Sequence, residues 1–161
     1  MINEATREQI IFVAEQMRER DYLEINALYD SGSRAELAQM IADRYDRNSD
    51  VLCWTSNGEP VCIGGALQTR PNAVSLLFFA TDEFPRIAVS VTRFIKKLFR
   101  EYEKSGVHRI EAISLEGYQH AHRWLSILGL RRETGPLINF GKGGETFIQF
   151  VRVSDVREIS G

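Results

Sequence analysis

The chain has 161 residues, 43% of them apolar and 26% charged, the balance of a soluble globular protein rather than a disordered one. This length suits one domain over 1–161 with a single core. The formal charge of −2 argues against a general pull toward nucleic acid or anionic lipid, and no apolar run approaches the roughly 18 residues that span a bilayer.

MINEATREQI is charged from its fourth residue and lacks the apolar stretch of a signal peptide, so a soluble, cytoplasmic protein is expected. A short strand over Ile2 to Ala5 leads to Thr6, which with Gln9 three residues on reads as a helix N-cap and capping box. The helical stretch REQIIFVAEQM follows, and after a bend a second one, ERDYLEINALY. Ser33 and Glu36 repeat the capping signal and open SRAELAQMIADRYDR.

Two strands, VLCWTS and EPVCIGGALQT, flank Asn57-Gly58, a pair that accepts the positive φ angles of a tight hairpin turn. With those two residues as the loop, Cys53 faces Cys62 on a non-hydrogen-bonded pair, with Cα atoms on the order of 4.5 Å apart. A disulfide is sterically conceivable there. Two buried thiols are the expectation in a reducing cytoplasm. Pro60 also falls on a non-hydrogen-bonded position, where its missing N–H costs the ladder nothing. Gly64-Gly65 marks a bulge or a close backbone approach.

AVSLLFFA reads as a fully buried strand. A helix is expected from Pro85 to Ser105, with Phe94, Ile95, Leu98, Phe99 and Tyr102 as one apolar stripe. Its basic side chains, Arg93, Lys96, Lys97, Arg100 and Lys104, read as a solvated face interrupted by Glu101 and Glu103. Gly106 ends it, VHRIEAISL is the next strand, and SLEGYQHAHRWLSILGL carries a helix that stops at Gly129. LRRET and ETFIQFVRV are the last strands, separated by the glycine-rich PLINFGKGG. GKGG lacks the flanking strand and helix, and the Ser or Thr, of a P-loop. This order predicts the α/β (α+β) class: a mixed central sheet of about six to seven strands with helices on both faces.

His120 and His122 are two apart on a helix, about 200° round its axis, and cannot share one metal ion. No cysteine or carboxylate cluster joins them, so no metal is expected. Trp124, Ala121, Leu125 and Leu128 form a packing face rather than a stacking platform for bases.

The element order resembles that of the GNAT acetyltransferase superfamily. GNAT proteins often carry, on the helix after the fifth strand, an Asn, an Ala three on, a Tyr four further and a Gly-Phe pair beyond. The same ladder here reads Tyr118, Ala121, Leu125 and Gly129-Leu130. INEAT, FVAEQMRERDYLEI, CWTSNGEPVCIGG, LFFATDEF and HRWLSILGL resemble, more narrowly, the acetyltransferase-like internal virion proteins of short-tailed phages.

The resemblance implies acetyl-CoA or CoA as cofactor and attack by a small amine or a protein N-acceptor on the thioester. Pantetheine would lie on the backbone of Leu77 to Ala80, and the cofactor-binding set would be Phe78, Phe79, Ala80, Arg86, Ala88 and Val89. The residues at the helix entrance argue against this cofactor. The family's [QR]-x-x-G-x-[GA] loop needs glycines so that the backbone can approach the phosphates. With Arg86 leading, Val89 and Val91 occupy the glycine positions. Asp82 and Glu83 would repel a diphosphate, and Pro85 has no N–H to give.

The usual proton-donating Tyr is Leu125, which cannot donate. Tyr118 is the candidate acid and Glu116 the candidate base. A phenol facing the core is more often a packing residue, and Glu116 is more often a cap or a solvent-facing side chain.

Two readings stand. In one, a phage-type GNAT-fold protein has lost or changed its catalysis and acts through a virion or host protein partner, in the host cytoplasm or packaged in the virion. In the other it is an acyl-CoA-dependent N-acyltransferase with a diverged loop. The charge balance disfavours a third, nucleic-acid-binding reading, and no membrane partner is expected.

Overall fold

The computed structural model describes residues 1–154, so the last seven residues of the domain expected over 1–161 lie outside the described residues. The elements follow the order β1 (Ile2–Glu4), α1 (Arg7–Gln16), α2 (Glu19–Asn26), α3 (Arg34–Tyr45), β2 (Val51–Ser56), β3 (Glu59–Arg70), β4 (Ala73–Ala80), α4 (Ala88–Lys104), β5 (Arg109–Leu115), α5 (Gln119–Ile127), β6 (Arg131–Arg132) and β7 (Phe147–Val153). The seven strands form one mixed sheet in the order β1-β2-β3-β4-β5-β7-β6. Pairing is parallel between β4 and β5 and antiparallel for β1–β2, β2–β3, β5–β7 and β6–β7. The mixed α/β class and the strand count agree with the sequence. None of the described helices is long and apolar enough to cross a membrane.

The chain divides into two compact units, Met1–Ala66 with Leu77–Ala88, and Leu67–Leu76 with Val89–Gly161. In the first, the Thr6 hydroxyl accepts the Gln9 N–H at 3.1 Å and the Gln9 side chain accepts the Thr6 N–H at 3.0 Å, completing the capping box. Ser33 caps α3 likewise, but the Glu36 carboxylate turns to the N–H of Gly32 at 3.1 Å. Arg7 fastens α1 to α3 through Asp43 and Asp46. Ile10, Val13, Leu37, Ile41, Val51, Ile63 and Phe79 are fully buried. Each such side chain contributes about 1.5–3 kcal/mol of transfer free energy.

The hairpin register departs from expectation. Ser56 faces Glu59 and Thr55 faces Pro60, as the Asn57-Gly58 turn dictates. Val61 is then an extra residue, so Trp54 faces Cys62 and Cys53 faces Ile63. The one-residue slip puts the two cysteines on opposite faces of the ladder, and both are free and buried thiols. The bulge is therefore at Val61 and not at Gly64-Gly65. Those glycines are sites of close approach: a Cβ on Gly65 would lie 2.6 Å from the Asp50 carbonyl oxygen, and one on Gly64 would meet the Trp54 and Phe78 rings.

Two further expectations are corrected. The helix expected from Pro85 is broken: a single 3-10 turn spans Phe84–Arg86, Ile87 leaves helical geometry at φ −121°, and α4 begins at Ala88. Pro85 sits in the first turn of the short segment, where a missing N–H is harmless. β4 is buried only at its ends, with Ser75 to Phe78 half-buried.

In the second unit Phe99, Ile110, Leu128, Phe147 and Ile148 form the core. LRRET contributes a strand of two residues, Arg131 and Arg132. PLINFGKGG turns back through a Leu137–Phe147 bridge and bonds from Phe140 and Gly141 N–H to the Glu145 carbonyl.

Candidate functional site

In the first unit the end of β4 meets the junction of α1 and α2. Helix α1 stops at Met17, which turns extended (φ −64°, ψ 153°) and bridges Thr81 in antiparallel fashion. Arg18 is also extended, and its N–H donates to the Ala80 carbonyl at 2.8 Å. The Arg34 guanidinium holds this junction by donating to the Met17 carbonyl at 2.8 Å and to Glu19 at 2.9 Å.

Asp21, in the first turn of α2, is 5% exposed. Its Oδ2 accepts the Ala80 N–H at 2.9 Å and Arg18 Nε at 3.0 Å, and its Oδ1 accepts from the other end of the Arg18 fork at 3.2 Å. A buried carboxylate is tolerated because its oxygens are met by a bidentate cation and a backbone donor. The Arg18 guanidinium in turn lies 5.2 Å above the Phe84 ring, which meets Phe78 edge-on at 5.2 Å. Thr81 N–H donates to Val61 on β3, so the Ala80 peptide faces the opposite edge of β4.

Of the expected cofactor residues, this unit brings Phe78, Phe79 and Ala80 to one strand end. Phe79 and Ala80 are completely buried and Phe78 half-buried. Arg86 is 72% exposed and paired with Glu83 at 2.9 Å, and Ala88 is half-buried at the first residue of α4.

In the second unit Val89 is 65% exposed and Val91 fully buried. Glu116 and Tyr118 share the β5–α5 junction, separated by Gly117 at φ +89°. They face different surroundings: Glu116 is exposed, its N–H bonded to the Thr146 carbonyl, whereas Tyr118 is 4% exposed as the N-cap residue of α5. Leu125, at the position of the family's proton donor, is buried.

His122 Nε2 lies 3.0 Å from the Leu115 carbonyl and its ring 5.0 Å from that of Phe150. Partial burial holds its pKa below the ordinary histidine value, against the opposing pull of that carbonyl. His120 is exposed. Among the described residues no cluster of His, Cys, Asp or Glu could hold a metal ion. Trp124 Nε1 donates to the Thr92 hydroxyl at 2.9 Å, which joins α5 to α4.

The residues at the start of α4 do not fit the pyrophosphate of CoA. A phosphate cradle needs backbone N–H groups open to the ligand and no side chain in the way. Here a branched Val89 side chain projects into solvent, Pro85 has no N–H, and Arg86 is engaged by Glu83 beside Asp82. Sequence reasoning named these residues but missed Arg18 and Asp21. Their i, i+3 spacing signals an ion pair; that its third partner is Ala80, 59 positions along, is a property of the fold.

Compared by sequence, the chain matches no family model and no curated protein. Compared by structure, it is similar to Ard1 from Thermoplasma volcanium, with a TM-score of 0.71 at 16% identity over 96% of this chain and 97% of that one. It is similar also to yncA from Salmonella typhimurium with its cofactor acetyl-CoA (0.69, 15%, 96% and 94%). A third is the acetyltransferase (GNAT family) from Bacillus anthracis (0.67, 12%, 94% and 93%). At these identities the likeness is one of fold, and the fold is that of the GNAT acetyltransferases.

Proposed function

We propose that this chain is a GNAT-fold protein whose acetyl-CoA-dependent catalysis has been lost or has diverged, and that it works through a protein partner as a virion-associated or host-interaction protein. The observation that carries the reading is the engagement of the Ala80 peptide. Its N–H is taken by the Asp21 carboxylate and its carbonyl already accepts the Arg18 N–H, so at Ala80 the β4 edge has no donor left for a pantetheine carbonyl and an acceptor that is already engaged. The α4 entrance supports the same reading independently, as does the buried Leu125 in place of a proton donor. The phage branch is supported by the resemblance of five sequence stretches. If it is right, peptides of this chain are recovered by mass spectrometry from purified particles of the encoding phage and withstand surface protease treatment.

A second reading, an acyl-CoA-dependent N-acyltransferase with a non-standard pyrophosphate loop, is favoured by the structural neighbour that holds acetyl-CoA. In it, Tyr118 and Glu116 remain the candidate acid and base. Thermal unfolding with acetyl-CoA, CoA or ATP at about 1 mM separates the two readings. The first expects no shift with any of them. A rise of several degrees with both CoA species and none with ATP overturns it and establishes the second, since ligand at 100 times its Kd adds about 2.7 kcal/mol.

A further inference from the structure

The formal charge of −2 is the sum over two units whose charges differ in sign. Met1–Ala66 with Leu77–Ala88 contains 7 Arg and Lys against 14 Asp and Glu, whereas Leu67–Leu76 with Val89–Gly161 contains 13 against 8. The first unit is therefore formally −7 and the second +5. Overall charge is a poor guide to partners when it is segregated in this way.

Within the basic unit, the surplus is aligned on α4. Arg93, Lys97, Arg100 and Lys104 are all exposed. At about 100° per residue they fall within roughly 60° of one line, and at about 1.5 Å per residue they span some 16 Å in steps of about 4.5–6 Å. Seven arginines elsewhere, at 7, 18, 34, 70, 86, 109 and 152, are each paired with a carboxylate, while six, at 20, 44, 47, 123, 131 and 132, have no such ion pair among the described residues and do not line up in a row on one helix. Among the described residues none of these four cations has such a partner. Glu103, which could have served them, is engaged by Arg152 at 2.6 Å, and Glu101 stands beside the row, about 40° round the helix from Lys97, without an ion pair among the described residues.

Like charges at i, i+3 and i, i+4 oppose helix formation, and a face that is only solvated mixes its signs. Here three successive like-charge contacts are retained, with exposed Glu101 at the margin of the row, four residues after Lys97 and three before Lys104, offsetting only part of the charge. An external anion supplies the rest.

We propose that the Arg93–Lys97–Arg100–Lys104 ridge of α4 is a docking surface for the phosphate backbone of double-stranded nucleic acid, bound without regard to sequence. A straight row of four cations fits a straight row of phosphates, and no aromatic side chain stands in the row to stack on a base. The inference does not rest on the fate of CoA binding.

The test is fluorescence anisotropy of the full chain with a labelled mixed-sequence duplex of about 20 base pairs, at salt from about 50 to 200 mM. Four phosphate contacts give a log–log salt slope of about −3.6, a loss of about 150-fold in affinity over that range. Combining Arg93→Gln, Lys97→Gln, Arg100→Gln and Lys104→Gln weakens binding more than tenfold at the low-salt end with the melting temperature unchanged. Lys97→Gln alone reduces the slope by about one. Lys142→Gln, elsewhere in the same unit, leaves it unchanged. The proposal is overturned by absence of binding at about 50 mM salt, by equal binding of the fourfold variant, or by tighter binding to polyglutamate or anionic vesicles than to the duplex.

Discussion

The carboxylate of Asp21 accepts the backbone N–H of Ala80 at 2.9 Å, so a side chain in the first turn of α2 completes the hydrogen bonding of the last residue of β4. Because Asp21 also binds the fork of Arg18, removing it orphans a buried backbone donor and releases a partly buried cation. Asp21→Ala is expected to cost about 2–3 kcal/mol, and Asp21→Asn, which keeps an acceptor for Ala80, about 1–2 kcal/mol. Urea unfolding of the three proteins measures both differences. Equal losses would show that the charge, and not the Ala80 bond, is what matters.

Gly129 and Gly117 separate two costs of a side chain. Both have φ near +90°, but a Cβ at Gly117 meets nothing within 4 Å, while one at Gly129 would lie 2.6 Å from the Arg152 guanidinium. That guanidinium caps α5 by donating to the Leu128 carbonyl at 3.1 Å. Gly117→Ala is expected to cost about 1 kcal/mol of backbone strain, and Gly129→Ala about 2 kcal/mol because the arginine must also move. Melting curves of both variants check the order, and similar values would mean that Arg152 yields freely.

The pH dependence follows from His122. Burial lowers its pKa in the folded chain below the ordinary 6.5, so in the acid range the unfolded chain binds more protons. Its contribution is whole above pH 6.5 and is lost as the pH falls from there through the folded value. His122→Gln is expected to flatten the unfolding free energy between about pH 7 and 5 relative to the parent. An unchanged slope would assign the acid sensitivity to other groups.

The two thiols should be inert. Burial pushes Cys53 up to about 11 and Cys62 higher still, and the register keeps them on opposite faces of the hairpin. Ellman's reagent at pH 8 is expected to find almost no thiol in the folded protein and both in denaturant. Oxidation by copper phenanthroline should leave no intramolecular disulfide, and a bridged product would show that the hairpin slips.

The sequence made legible what neighbours along the chain decide. Thr6 and Gln9 specified the start of α1, Asn57-Gly58 the turn, and Gly129 the end of α5, because caps and tight turns are local geometry. The break at Ile87 and the extra residue at Val61 were not legible. An isolated capping or turn signal does not reveal how a strand adjusts to its neighbours. For the candidate site, the anion-hostile start of α4 could be read from Asp82, Pro85, Arg86 and Val89 directly. The Asp21–Ala80 contact could not, since it joins residues 59 apart. The separation of charge was present in the sequence but invisible in the total, until the fold said which residues belong together.

The bulge at Val61 acts as a boundary of phase. On its inner side, Cys62, Ile63 and the close-packed glycines hold their alternation; on its outer side, only Thr55–Pro60 and Ser56–Glu59 depend on the turn. The Val61 carbonyl, bonded to Thr81 N–H, pins the boundary in place. Residues added at Asn57-Gly58 would alter the outer two pairs and go no further. The hairpin tip is thus where this chain can lengthen, or accept a graft, without re-threading its interior.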